Sequence, residues 1–267
     1  MTTPLTAGNA RVKEARKLSR RSVRTERRLF LADGPKAVEA ALAAGAGVRE
    51  VFATPAATTQ YDALAGAARR ADVAWTLVDD RALASLSDAV TPAGVVAVCG
   101  LLDVPLETVL AGPASTVVIC ADVRDPGNAG TIIRTADAAG AAGVILAGNS
   151  VDPHNAKTVR ATVGSLFHLP IALAPDASAA VAAAQGAGMR VLAADGAGEV
   201  DLFEADPLLA GRVAWLFGNE AWGLPDDLAA RADHRVRIPI QGSAESLNLA
   251  TAAAVCLFAG ARARRPW

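Results

Sequence analysis

The chain has few of the residue types that mark a metal centre or a disulfide framework. Its 267 residues include three histidines and three cysteines, and aromatic residues make up only 4%. The histidines lack the H-x-x-x-H and H-E-x-x-H spacings of common zinc sites, so we expect no metal ion. Cys99, Cys120 and Cys256 are odd in number, widely spaced and in apolar surroundings. This usage predicts reduced core thiols in a cytoplasmic protein.

Long apolar runs are also missing. No stretch approaches the ~18 apolar residues of a membrane-spanning helix, and the polar N-terminus lacks an apolar segment with a cleavage site. We therefore expect neither a membrane partner nor a secretory signal. Apolar residues nevertheless make up 52% of the chain, which excludes disorder as its overall state. The length favours two domains with buried cores.

The common catalytic patterns are absent as well. There is no G-x-S-x-G serine elbow and no obvious pair of catalytic carboxylates. Gly127 and Gly130 form G-x-x-G, which matches neither the dinucleotide fingerprint nor the phosphate-binding P-loop. A nicotinamide-dependent oxidoreductase is one alternative for an α/β chain with glycine-rich turns, but the missing fingerprint weighs against it.

The charge of the chain is unevenly distributed. The net charge is -1, yet nine basic residues lie between positions 11 and 28 against only Glu14 and Glu26. Such a segment can bind a polyanion, because cations that contact phosphates release counterions. A solvated surface helix and a transit peptide are the alternatives. The candidate RNA-binding residues are Arg11, Lys13, Arg16, Lys17, Arg20, Arg21, Arg24, Arg27 and Arg28.

Short apolar runs alternate with alanine-rich segments along the whole chain, which predicts α/β architecture. We expect a first domain over residues 1–103. Residues 104–114, with two prolines and a glycine, are the best linker candidate. In the second domain, residues 115–267, the apolar runs are uninterrupted, which predicts strands covered on both faces and a mainly parallel sheet.

Three stretches of the second half place polar residues where a predicted strand ends in glycine. They are DPGNAGTIIRTADAAG (125–140), LFGNEAWGLP (216–225) and IPIQGSAESLNLA (238–250). Turn and cap chemistry would explain any one of them, because Asn and Ser start helices and Gly turns corners. Three in one domain favour a ligand site, since open α/β sheets bind ligands outside the carboxyl ends of their strands.

In this order, the three stretches resemble the signature motifs of the SpoU (TrmH) family of RNA ribose methyltransferases. The resemblance covers roughly residues 115–264, and KTVRATVGSLFHLPI between the first two stretches also fits it. The N-terminal part resembles a small ribosomal-protein-like RNA-binding α/β domain, on the basis of layout and basic charge. Within the family, the layout is similar to ribosomal RNA methyltransferases of the thiostrepton-resistance kind.

The resemblance implies that S-adenosylmethionine donates a methyl group to a ribose 2'-hydroxyl of structured RNA, with ribosomal RNA preferred over transfer RNA. It also implies a deep trefoil knot, an exception to the general absence of knots, whose loops form the cofactor pocket. Family correspondence places Gly218, Ile238 and Leu247 at adenosyl-binding positions, with Ala193 and Ala194 nearby.

The resemblance further assigns the catalytic positions to Asn128, Arg134, Glu220, Ser246 and Asn248. A guanidinium with a pKa above about 12 is a poor base, so Arg134 is expected to bind the adjacent phosphate and polarise the hydroxyl. Asn128 would orient the sugar or Arg134, and Glu220 would hold Arg134 through a charge-assisted bond. Ser246 and Asn248 would hold the substrate or the loop. The alternative is a non-catalytic RNA-binding protein that keeps the fold, and the presence of all five residues weighs against it.

The last predicted helix indicates how the chain assembles. From Leu247 to Ala259 it is apolar around nearly its whole circumference, broken only by Asn248 and Thr251. Such a helix must be covered on every side, either within the monomer or by a second subunit. The residues alone leave both possibilities open. The resemblance favours a homodimer through the C-terminal domain, in which Arg134 reaches the partner's site.

Overall fold

The structure is a computed structural model that describes residues 3–112 and 115–265. Its contacts divide the chain into two compact units. The N-terminal unit comprises Met1–Leu102 and Asp152–His168, and the C-terminal unit comprises Asp103–Val151 and Leu169–Trp267.

The helices and strands alternate as the sequence predicts. The strands within the described residues are β1 (Leu29–Asp33), β2 (Glu50–Ala53), β3 (Ala74–Leu77), β4 (Val95–Gly100), β5 (Asp103–Val104), β6 (Thr116–Ala121), β7 (Gly143–Ala147), β8 (Ile171–Ala174), β9 (Arg190–Ala194), β10 (Val200–Asp201), β11 (Val213–Phe217) and β12 (His234–Arg237). The α-helices are α1 (Ala10–Arg16), α2 (Arg21–Arg27), α3 (Pro35–Ala43), α4 (Pro55–Gln60), α5 (Asp62–Arg70), α6 (Asp80–Ala84), α7 (Leu106–Leu110), α8 (Pro126–Ala138), α9 (Ala156–Thr162), α10 (Ala177–Gly186), α11 (Asp206–Leu209), α12 (Asp226–Ala229) and α13 (Leu249–Ala263).

The N-terminal unit is built on a four-stranded mixed sheet in the order β1-β4-β2-β3. β4 runs antiparallel to both β1 and β2, and β2 is parallel to β3. Phe30 and Phe52 are among the largest fully buried side chains of this sheet. The alternating runs before residue 103 therefore do form a compact α/β layer.

The basic segment is two short helices rather than one. Asn9 caps α1 by accepting a hydrogen bond from the Arg11 N–H at 2.9 Å, and a 3-10 turn over Lys17–Ser19 follows. Arg20 is extended (φ -90, ψ 129), which breaks the helical path before α2 begins. Val12, Ala15 and Leu18 are buried, so the segment packs its apolar side on the unit's core.

The C-terminal unit contains an eight-stranded sheet in the order β10-β12-β9-β11-β6-β7-β8-β5. All seven neighbouring pairs are parallel, which confirms the predicted parallel sheet. The central strands β6, β7 and β11 are buried along their whole length. Their uninterrupted apolar runs reflect this two-sided burial.

The unit boundaries differ from the expected domain boundaries in two places. Residues 104–112 of the expected linker contribute to β5 and α7, and the structure assigns them to the C-terminal unit; residues 113 and 114 lie outside the described residues. Asp152–His168, expected in the C-terminal domain, belongs by its contacts to the N-terminal unit.

One buried ion pair ties Asp152 into the N-terminal unit. The Arg24 guanidinium donates to its carboxylate at 2.6 Å, and both side chains are largely buried. The His154 backbone N–H donates to the same carboxylate at 2.9 Å. Burial opposes ionisation of Asp152, but the hydrogen bonds from His154 and Arg24 hold its pKa well below the ordinary value.

The monomer covers only part of the last helix. α13 packs against α8, α11 and the strands β9 and β11. Its buried residues are Ala250, Ala253, Cys256, Leu257 and Gly260. Thr251 is exposed and Phe258 is 52% exposed, so a second face of α13 is not covered within the described chain.

The three cysteines are buried free thiols. Burial raises the pKa of Cys99, Cys120 and Cys256 to about 12 in each case. No helix among the described residues is long and apolar enough to span a membrane.

Candidate active site

The first signature stretch forms the turn from β6 into α8. The chain leaves β6 through Asp122, a non-glycine residue with φ 55, whose carboxylate accepts a hydrogen bond from the Asn149 N–H at 2.7 Å. Asp125 then caps α8 by accepting from the Asn128 N–H at 2.8 Å, and Pro126 occupies the first helical turn. Asn128 therefore lies at the start of α8, beside the carboxyl end of β6.

The second stretch is a tight turn after β11 that requires glycine. A Cβ on Gly218 would lie 2.3 Å from the carbonyl carbon of Gly223. Asn219 and Gly223 exchange backbone hydrogen bonds of 2.9 and 3.0 Å across the turn. The buried Asn219 side chain also donates to the Asp122 carbonyl at 2.7 Å and accepts from the Ala221 N–H at 2.8 Å. These bonds fix the turn to the end of β6.

This turn holds Glu220 against the loop between β6 and α8. The Glu220 carboxylate accepts from the backbone N–H groups of Arg124 at 3.2 Å and Asp125 at 2.9 Å. It also accepts from Asn128 Nδ2 at 3.3 Å. Hydrogen bonds to an ionised carboxylate are stronger than neutral ones. Glu220 thus joins the second stretch to the first.

Asn248 joins the third stretch to the other two. Its Oδ1 caps α13 by accepting from the N–H groups of Ala250 at 2.9 Å and Thr251 at 3.2 Å. Its Nδ2 donates to Asn128 Oδ1 at 3.0 Å. The Asn128 amide is therefore used at both ends, by Asn248 and by Glu220. We call Asn128, Glu220 and Asn248 the amide–carboxylate cluster.

A cavity of about 300 Å³ lies beside this cluster, at the carboxyl ends of β9, β11 and β12. Glu220 belongs to both the cluster and the cavity wall. The apolar part of the wall includes Phe217, Val236, Ile238, Ile240, Leu247 and Leu249. Two further carboxylates, those of Asp195 and Glu245, also line it. The cavity can therefore hold a ligand that combines an apolar ring with positive charge.

The main chain around the cavity has unused hydrogen-bonding capacity. Between Ile238 and Leu247 the backbone makes no hydrogen bond to another residue that the structure describes. Backbone N–H and C=O groups are strong donors and acceptors, so this segment can bind a ligand through its main chain.

Arg134 lies apart from the cluster on the same helix as Asn128. Arg134 follows Asn128 by six positions, which places them about 9 Å apart along the helix axis. Arg134 is exposed, and its side chain forms no hydrogen bond or ion pair with a residue in the described ranges. Its guanidinium is available to a ligand.

Comparison with known proteins places this site in a family. A sequence model described as the SpoU rRNA Methylase family matches residues 115–258, more than half of the chain. The chain belongs to the SpoU rRNA methylase family. A second model, described as an MRM3-like substrate binding domain, matches residues 9–97.

Relatives of this SpoU protein match it over nearly its full length. It is 31% identical to the 23S rRNA (guanosine(2553)-2'-O)-methyltransferase RlmP of Bacillus subtilis, over 94% of this chain and 96% of that one. An AdoMet-bound rRNA methyltransferase from Sinorhizobium meliloti superposes with a TM-score of 0.85 at 37% identity, covering 97% of each chain. AviRb of Streptomyces viridochromogenes, in complex with the cofactor AdoMet, gives a TM-score of 0.83 at 31% identity and covers 96% of this chain and 98% of that one.

The fold brings together three of the five predicted catalytic residues. Asn128, Glu220 and Asn248 are hydrogen-bonded, while Ser246 is exposed on the cavity wall. The expected bond between Glu220 and Arg134 is not formed. Glu220 instead accepts from two main-chain amides and from Asn128, because the turn after β11 directs it at the start of α8.

The predicted cofactor residues are divided between the wall and its support. Ala194, Ile238 and Leu247 line the cavity. Gly218 lies behind the wall, where its missing side chain admits the backbone of Gly223. Ala193 is fully buried within β9 and is not part of the lining. A cofactor role for these residues stays a prediction.

The predicted RNA-binding residues are also of two kinds. The side chains of Lys13, Arg16, Arg20 and Arg21 are exposed and unpaired within the described chain. Arg11 is paired with Glu50, and Lys17 and Arg27 are both paired with Glu14; Arg28 is exposed and has a further interaction.

Arg24 is a correction to the RNA-binding set. It is 5% exposed, because its guanidinium bonds to Asp152 and to the backbone carbonyls of Leu18 and Ser19. In this structure the Arg24 guanidinium therefore bonds to other groups of the N-terminal unit and is not available to a phosphate.

Sequence reasoning missed two residues that build the site. Asp125 caps α8, and Asn219 closes the turn that positions Glu220. An Asp-Pro pair before a predicted helix was a signal for the first. The Gly-Asn pair after a strand indicated a turn, but it did not reveal the bond between Asn219 and Asp122. Among the described residues there is no group of three or more His, Cys, Asp or Glu that could hold a metal ion.

Proposed function

We propose that this SpoU family member transfers a methyl group from S-adenosylmethionine to a ribose 2'-hydroxyl of ribosomal RNA. The observation that carries the proposal is the hydrogen-bonded link between Asn128, Glu220 and Asn248, one from each signature stretch, at the wall of a cavity. The 23S rRNA 2'-O-methyltransferase activity named for the Bacillus subtilis relative supports the reaction and the class of RNA.

The cavity suits S-adenosylmethionine. Its apolar wall fits adenine, and the unbonded main chain from Ile238 to Leu247 can bind the polar edges. The Glu220 and Glu245 carboxylates on the wall offset a positive charge, whereas Asp195 is already paired with Arg235. When bound, this cofactor supplies a methyl group on a positively charged sulfur. Ala194, Ile238 and Leu247 are the predicted residues on the wall, and Gly218 shapes it from behind.

Arg134 acts on the RNA. Its exposed and unpaired guanidinium can bind the phosphate next to the target ribose and polarise the 2'-hydroxyl, which orients a weak nucleophile. A guanidinium does not accept the proton, whose acceptor is another group. Ser246, exposed on the wall, is free to contact the substrate.

The amide–carboxylate cluster positions these groups. Both polar atoms of the Asn128 side chain are engaged, Oδ1 by Asn248 and Nδ2 by Glu220. Asn128 therefore helps to hold the start of α8 in place, and its second Nδ2 hydrogen and second Oδ1 lone pair leave capacity for the sugar or Arg134. This gives Asn128, Glu220 and Asn248 a positioning role.

The N-terminal unit selects the RNA. The likeness of residues 9–97 to a substrate-binding domain supports this, as does the basic segment. The exposed and unpaired Lys13, Arg16, Arg20 and Arg21 are its phosphate contacts. We assign RNA selection to the N-terminal unit, Met1–Leu102 with Asp152–His168, and methyl transfer to the C-terminal unit.

The working unit is a cytoplasmic homodimer with a knotted C-terminal domain. The incompletely covered face of α13, with Phe258 52% exposed, supports pairing through this domain. The cavity is lined by the segments after β9, β11 and β12, as expected of knot loops that form a pocket. Arg134 of one subunit would act at the partner's cavity. Mixing inactive Arg134→Ala and Gly218→Trp proteins should restore part of the activity if the sites are shared, and a monomer in sedimentation would refute the dimer.

Two measurements test the proposed function. Calorimetry should detect binding of S-adenosylmethionine and S-adenosylhomocysteine but not of NAD. Labelled methyl groups should then appear on 23S rRNA, and the modified ribose should be missing from RNA of cells that lack the protein. Binding of NAD alone would exclude a methyltransferase, and RNA binding without methyl transfer would favour the non-catalytic alternative.

A further inference from the structure

Trp222 is a large aromatic side chain that the fold leaves exposed beside the active-site cluster. Its side chain is 54% exposed, although indole is among the most costly groups to leave in water. The loop that carries it is not loose. Asn219 and Gly223 are bridged by two backbone hydrogen bonds, and Asn219 is tied to Asp122. The structure therefore fixes the backbone of the turn that carries the indole.

Arg124 lies over the same indole. Its guanidinium carbon is 5.0 Å from the centroid of the Trp222 ring, within the range of a cation–π contact. Arg124 is exposed and has no carboxylate partner for its side chain among the described residues. Its backbone N–H donates to Glu220, two residues before Trp222. Glu220 therefore holds Arg124 and Trp222 together, although they follow different strands.

The indole is not part of the cavity wall. Ala221 and Gly223, on either side of Trp222 in the chain, line the cavity, whereas Trp222 does not. A group stacked on this indole lies outside the cavity, close to Glu220. It is therefore distinct from the group that the cavity holds.

We propose that Trp222 and Arg124 form a stacking site for an RNA base next to the nucleotide that is methylated. RNA-binding proteins stack splayed bases on aromatic side chains and guanidinium planes, and Arg adds contacts to phosphate. The pair supplies both groups within reach of the cluster. This inference rests on the proposed function, because it assumes that the ligand at this site is RNA.

The experiment uses the full chain and 23S rRNA. Binding of the RNA at fixed salt is measured for the wild type, Trp222→Ala, Trp222→Phe and Arg124→Ala. Phe203→Ala is the matched control, because Phe203 is 60% exposed in the same unit without lining the cavity. Cofactor affinity, thermal stability and sedimentation are measured for each protein, and KM and kcat for methyl transfer are measured separately.

We expect Trp222→Ala to weaken RNA binding about five- to one-hundred-fold and to raise KM for RNA more than it lowers kcat. Trp222→Phe should retain most of the affinity, Arg124→Ala should lose affinity, and Phe203→Ala should behave as the wild type. Unchanged RNA binding by Trp222→Ala would overturn the inference. So would a loss of cofactor affinity equal to the loss of RNA affinity, or dissociation of a dimer, which would assign the indole to a second copy. Failure of the wild type to methylate RNA would instead contradict the proposed function, while the binding data would still decide the stacking site.

Discussion

Two positions of α8 carry residues of the same signature stretch in different physical states. At its start, the Asn128 side chain is bonded to both Asn248 and Glu220. Further along, the Arg134 side chain is exposed and without a partner in the described chain. Asn128 uses part of its hydrogen-bonding capacity within the site, whereas the guanidinium of Arg134 has all of its capacity left for a ligand. One motif thus contains residues that build the site and a residue that acts in it.

The strongest test of this contrast is Arg134→Ala. Removing an exposed side chain with no partner should leave the melting temperature unchanged. The cofactor affinity should stay within a few-fold of the wild-type value. Methyl transfer should fall by roughly 100- to 1,000-fold or more, as when a group that stabilises developing charge is removed. Single-turnover kinetics and calorimetry measure the two effects. Near-normal turnover would remove Arg134 from the mechanism.

Gly218→Ala tests the residues that build the site. The added Cβ would lie 2.3 Å from the Gly223 carbonyl carbon and 2.6 Å from the Leu224 nitrogen, so the turn must move. We expect a loss of about 1–3 kcal/mol in the free energy of unfolding, with weaker cofactor binding.

Gly196→Ala is the control for this substitution. Gly196 lines the cavity, whereas Gly218 lies behind its wall, and a Cβ on Gly196 would meet nothing within 4 Å. Denaturant unfolding and calorimetry compare the two variants. Equal behaviour would mean that the close approach at Gly218 does not shape the site.

Two substitutions of Asn248 distinguish its role as the cap of α13 from its hydrogen bond to Asn128. Asn248→Ala removes the cap of α13 and the bond to Asn128, and should cost about 1 kcal/mol of stability as well as turnover. Asn248→Asp keeps an oxygen for the cap but cannot donate to Asn128 Oδ1. It should retain the melting temperature and still lose turnover. If Asn248→Asp is fully active, the bond between the two amides has no role in positioning.

The smallest expected effect concerns the basic segment. Replacing Arg20 and Arg21 with Ala should reduce the slope of log affinity against log salt by about 0.7–0.9 for each RNA phosphate that is no longer neutralised. Cofactor affinity should not change. The charge-matched control replaces Arg69 and Arg70, which are also exposed in the N-terminal unit. The same salt slope in both double variants would mean that the basic segment is a solvated surface and not an RNA contact.

The sequence predicted the parallel sheet and the three site segments because both depend on local patterns. Strands buried on both faces are uninterrupted apolar runs, and parallel strands bring their carboxyl ends to one edge. Asn248 at the start of α13 is likewise a local cap signal. The basic segment was predicted less well, since counting charges does not show which of them find a partner in the fold.

Only the tertiary structure decided which residues pair when they lie far apart in the chain. Arg24 bonds to Asp152 across 128 positions, and Asn248 bonds to Asn128 across 120. Glu220 bonds to the main chain of another loop instead of Arg134 for the same reason: a hydrogen bond depends on distance and direction in space. Strand order and turn geometry set both, and neither is written in the spacing of residues along the chain.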